Sequence, residues 1–104
     1  MDRTYERGAM LERKAVMKHG RKKIPGTFIV KGDRIIFRPL IGRKEFIFHR
    51  TEIVDMGIEG GVRKKLYIVT GKQKYLFSMK NARDVHNLLL ALPNIYKNPS
   101  NTIT

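Results

Sequence analysis

Apolar and polar residues alternate in short bursts along most of this chain, and Gly or Pro separates the bursts. The clearest case runs from Gly26 to Arg38, Gly-Thr-Phe-Ile-Val-Lys-Gly-Asp-Arg-Ile-Ile-Phe-Arg. Phe28 and Val30 share one face of its first run, and Ile35 and Phe37 share one face of its second. With Gly32-Asp33 between them, the two runs predict a tight hairpin. Glu45 to His49 alternates again and brings Phe46 and Phe48 to one face. Ile53 to Ile58 is a weaker strand, ended by Gly60-Gly61. Lys65 to Thr70 and Gln73 to Phe77 are β-prone runs joined by Gly71-Lys72, a second hairpin signal. Upstream, Ala9 to Lys18 alternates imperfectly. It reads as a strand, but Met, Leu, Glu and Lys also form good helices, so both assignments stand at this point. His19 to Pro25 then carries Gly20, Pro25 and a basic cluster, which predicts an exposed loop.

The period changes after the last hairpin. Val85, Leu88, Leu89 and Leu92 recur at helical spacing and form one stripe of an amphipathic helix. Asn81 is placed to cap it, Asp84 lies in its first turn, and Pro93 stops it. About seven short strands followed by one such helix predict an α+β, mainly β fold. The expected architecture is a bent antiparallel barrel capped at its open end by the C-terminal helix. At 104 residues the chain is expected to be a single domain with a core over about 9–93 and polar tails at 1–8 and 94–104.

Composition narrows the functional classes. Apolar residues make up 41% of the chain, above the range in which disorder is favoured. Cysteine is absent, so disulfides and thiolate metal sites are excluded. The N-terminal Met-Asp-Arg-Thr-Tyr-Glu-Arg lacks the apolar stretch of a signal peptide, and the longest aliphatic run, Leu88 to Leu92, is far short of a membrane span. These features lead us to expect a cytoplasmic protein. Charge changes the picture most, with 22 Lys and Arg against 9 acids and a net of +13. The excess is spread along the chain and not confined to a tail. Such a field favours anionic partners, although solubility alone would also explain it.

The three segments Gly26 to Phe37, Phe46 to Val54, and Leu66 to Phe77 followed by Asn81 to Leu92 resemble a pleckstrin-homology-like domain of the GRAM branch. The first matches that family's Gly-x-Leu-x-Val-Thr-x-x-Arg-Leu-x-Phe hairpin, with Lys31 standing where Thr is frequent. The resemblance implies a seven-stranded bent sheet capped by the helix. It also implies a non-catalytic role, binding lipid headgroups or proteins, with peripheral attachment to a membrane. In lipid-binding members the loop between the first two strands takes the headgroup, through a Lys followed by Lys/Arg-x-Arg. Lys18 with Arg21 and Lys23 fills a loose version of that pattern.

The candidate site is therefore Lys18, Arg21, Lys22 and Lys23, supported by Lys31 and Arg34, or Arg38, if these face the same loop. Ammonium groups and a guanidinium fork suit a multiply charged phosphate. A protein-interaction or self-associating module is the alternative, and nucleic-acid binding comes third. No catalytic role, metal or cofactor is expected. His19, His49 and His86 are widely separated and lack metal-ligand spacing. Ser78 and Ser100 have no nucleophile-elbow context, and no phosphate-loop motif is present. The three binding readings differ in what they require. A lipid reader clusters its cations at one end, a nucleic-acid binder shows a basic stripe with exposed Tyr, and a protein module leaves an apolar patch or strand edge uncovered.

Overall fold

The alternating bursts become seven strands in a computed structural model that describes residues 8–42, 44–71 and 73–91. They are β1 Leu11–His19, β2 Lys22–Val30, β3 Arg34–Pro39, β4 Phe46–His49, β5 Ile53–Glu59, β6 Lys65–Thr70 and β7 Gln73–Met79, followed by helix α1, Ala82–Ala91. In β1 the alternation prevails over the helix-forming composition. Ala15 and Met17 are buried, while Lys14, Val16 and Lys18 are exposed. Both edges of β1 are hydrogen-bonded, to β2 and to β7, and a helix would forfeit those ladders.

The expected loop from His19 to Pro25 is a two-residue turn, Gly20-Arg21, and Lys22 to Pro25 belong to β2. Gly20 takes the left-handed backbone that so short a turn needs, with φ 65°. Pro25 is tolerated because of where pairing with β3 starts. The β2–β3 ladder begins one residue later, at Gly26 opposite Pro39, so the missing Pro25 N–H faces no ladder partner. The Pro25 carbonyl, on that same side, accepts the Leu40 N–H at 2.9 Å.

All neighbours are antiparallel, in the order β4-β3-β2-β1-β7-β6-β5. Two meanders, β1 to β4 and β5 to β7, are thus joined along β1. Consecutive strands β4 and β5 lie at opposite edges, connected only through a 3₁₀ turn at Arg50–Glu52. Laid flat, the seven strands would hold those edges about 29 Å apart. The four-residue step from His49 to Ile53 reaches at most about 14 Å. The sheet is therefore forced to curl into a half-barrel.

The concave face forms one core. Met17, Phe28, Val30, Ile35, Phe37, Leu66, Ile68 and Phe77 are fully buried within it. The α1 helix packs on β5 and β6 and adds Ala82, Val85 and Leu89 to the core, with Leu88 packed against it. Asn81 precedes α1 as expected, and its carbonyl accepts the Asp84 and Val85 N–H groups at 2.9 and 3.3 Å. Its backbone is left-handed, φ 55°, instead of the extended form typical of a cap, a conformation that Asn adopts more readily than most residues. The expected roles of Leu92 and Pro93, and the tails at 1–7 and 94–104, fall outside the described residues.

Candidate anion-docking surface

The Gly20-Arg21 turn gathers four of the six predicted residues. Lys18 pairs with Lys23 on the outer face of the hairpin, and Lys22 pairs with His19 on the other face. Lys18, Arg21, Lys22 and Lys23 are all exposed, and none makes an ion pair among the described residues. Four like charges at one hairpin end repel one another, and a bound anion would relieve that repulsion. Beneath them the His19 ring stacks on Tyr75, with centroids 4.5 Å apart and an interplanar angle of 19°, which steadies the end of β1.

Lys31 and Arg34 do not join this group. Nine residue steps along β2 lead from Lys22 to Lys31, about 30 Å at the usual rise. Arg34 Nη1 donates to both carboxylate oxygens of Asp33 at 3.0 Å. Arg38 is also engaged, pairing with Glu45 at 2.5 Å.

The fold assembles a second basic group that the linear order conceals. A hollow of about 680 Å³ on the outer face is lined by Lys23, Arg63, Lys64, Lys65 and Lys80, with Glu59 the one acid lining it among the described residues. Glu59 is already bound to Lys74 at 2.7 Å, so its charge is taken. Lys74 in turn lies 4.9 Å over the Tyr67 ring, and the Tyr67 hydroxyl donates to Asp55 at 3.3 Å. Desolvation and the adjacent Asp55 carboxylate hold the Tyr67 phenol above its ordinary pKa. Gly60 shapes the rim of the hollow. Its φ is 107°, and any Cβ there would collide with the Arg63 carbonyl. The run Gly-Gly-Val-Arg-Lys-Lys was the available signal, but Gly60-Gly61 reads first as a strand terminator.

Elsewhere the chemistry is sparse. His49 ends β4 and its N–H donates to Glu52 at 3.3 Å, while His86 lies on α1, where burial lowers its pKa. Among the described residues no three His, Asp or Glu side chains are grouped as a metal site would require. Also among the described residues, no helix is long and apolar enough to cross a membrane. Tyr67 is covered by Lys74, and Tyr75 lies between His19 and Phe48, so neither offers an open stacking platform. Tyr5, Tyr96 and Ser100 lie outside the described residues. Near the two sheet edges a further hollow of about 580 Å³ is lined by Phe46, Phe48 and Tyr75, with the exposed Ile47 and Val54 at its rim.

No known protein family's sequence pattern matches the chain. No curated protein matches it either. Solved structures do. One similar chain is the C-terminal domain of an unknown protein from Leishmania infantum, with TM-score 0.71 and 12% identity over 81% of this chain and 82% of that one. Another belongs to the 8S snRNP assembly intermediate, with TM-score 0.71 and 14% identity over 99% of this chain and 95% of that one. At such identities the likeness is one of fold.

Proposed function

We propose that this chain is a non-catalytic pleckstrin-homology-like domain of GRAM type that docks from the cytoplasm onto acidic phospholipid surfaces. The observation that carries this reading is the exposed cluster of Lys18, Arg21, Lys22 and Lys23 at one hairpin end, without acidic partners among the described residues. A two-residue turn cannot wrap a headgroup, so these residues act as a charged contact that neutralises lipid phosphates collectively. Each cation near an anionic membrane contributes about 1 kcal/mol.

The test is co-sedimentation with vesicles of rising phosphatidylserine content at two salt concentrations. The variant Arg21→Glu/Lys22→Glu/Lys23→Glu should partition about a hundredfold more weakly than wild type, with an unchanged thermal midpoint. Equal pelleting of both proteins, or none at near-physiological salt, would overturn the reading. The alternative, a protein-interaction module, is supported by the exposed Ile47 and Val54 beside the hollow near the sheet edges. Nucleic-acid binding ranks third, because Tyr67 and Tyr75 are occupied.

A further inference from the structure

Three large aliphatic side chains project from loop ends into solvent. Leu40 and Ile41, just beyond β3, are 73% and 86% exposed, and Val62, between β5 and β6, is 101% exposed. Single exposed aliphatics are ordinary on protein surfaces, so their arrangement is what carries meaning. Leu40, Val16 and Pro25 line an apolar hollow of about 360 Å³ on the outer face, and Ser78 forms part of its wall. Ser78 also lines the basic hollow of Lys23, Arg63, Lys64, Lys65 and Lys80. The two hollows therefore adjoin along β7, one apolar and one cationic. Lys23 makes this surface continuous with the basic hairpin end.

The chain order repeats the arrangement. Val62 is followed at once by Arg63, Lys64 and Lys65, and Leu40-Ile41 are followed closely by Lys44. Apolar tips backed by long cations match a bilayer interface. The aliphatic ends enter the boundary between headgroups and acyl chains, while ammonium and guanidinium groups reach back to the phosphates. A soluble polyanion or a nucleic acid would engage the cations and leave the tips in water.

We propose that the outer face between these two loops is the membrane-contacting face. Leu40, Ile41 and Val62 enter the interface, and the cations of the basic hollow lie over lipid phosphates. This inference rests on the acidic-membrane reading and adds to it an orientation and an apolar component.

The chain contains no Trp, so one introduced Trp reports without background. Val62→Trp is accommodated, since its position is fully exposed. Its emission should shift to the blue on adding phosphatidylserine vesicles and be quenched by brominated acyl chains. Ile47→Trp, on edge strand β4, should remain water-like. In parallel, Leu40→Ser/Ile41→Ser/Val62→Ser should weaken partitioning by about tenfold or more while leaving its salt dependence as in wild type.

If wild type pellets but Val62→Trp stays unshifted and the triple Ser variant binds normally, the inference falls and the membrane reading stands. If wild type does not pellet, both fall. A blue shift already present without vesicles, together with a doubled mass in light scattering, would assign the tips to a contact between two copies and overturn the proposal.

Discussion

Replacing Phe77 by alanine is expected to lower folding stability by about 3–5 kcal/mol. Its ring is fully buried and contacts three others, with centroids 4.9 Å from Phe28, 5.7 Å from Phe37 and 6.0 Å from Phe48. The backbone offers no relief, because β7 is paired on both sides there, with Met17 of β1 and Leu66 of β6. A site held this way cannot collapse around the missing ring, so the lost transfer energy and the cavity add together. Domains of this size are stable by only about 5–15 kcal/mol, so the variant should lose much of its margin. Urea unfolding measures the effect through a lower midpoint at unchanged slope. A loss under about 1 kcal/mol would mean that neighbouring rings refill the space.

Gly26→Ala should also destabilise strongly, by about 2–3 kcal/mol, for the opposite reason. A Cβ at Gly26 would run into the Arg38 carbonyl, the Phe37 ring at 2.8 Å and the Pro39 Cα at 2.9 Å. Two of those obstacles are backbone, held by the β2–β3 ladder, so relief requires parting the strands. Gly57 gives the internal comparison. The three nearest atoms to a Cβ there all belong to the Tyr67 side chain, the hydroxyl at 2.8 Å, and that ring can swing aside. Gly57→Ala should therefore cost less than Gly26→Ala by about 1 kcal/mol or more in the same unfolding experiment. Equal losses would show that the Tyr67 ring is held as firmly as the β3 backbone.

Strand by strand, the fold was legible wherever one face alternated cleanly. Phe28 with Val30, Ile35 with Phe37, and Phe46 with Phe48 report the concave face directly, because a half-buried strand repeats every second residue. Two readings went astray on Gly and Pro. Gly20 and Pro25 look like the two ends of a loop, yet one makes a tight turn and the other sits in β2 where β3 has not begun to pair. That tolerance depends on the length of a neighbouring strand, which no local pattern encodes. The candidate site divides similarly. Lys18 and Arg21 to Lys23 fall within six consecutive residues, so a turn brings them together whatever its length. Lys31 and Arg34 follow that cluster in the sequence, but the straight run of β2 carries the chain to its far end before either is reached. The basic hollow was hidden because its side chains come from three separate stretches, united only by the curl of the sheet.

The pairing of β1 with β7 joins residues as far apart in the chain as Ala15 and Met79. During synthesis the first meander is complete long before its partner emerges, and one side of β1 waits with its amide and carbonyl groups unpaired. Unfinished strand edges recruit strands from other chains, and charged side chains on the strand are a common natural defence. Arg13, Lys14 and Lys18 lie on β1 itself. Before any partner surface is met, the positive charge of this strand can hold nascent copies apart until β7 arrives to close the wall.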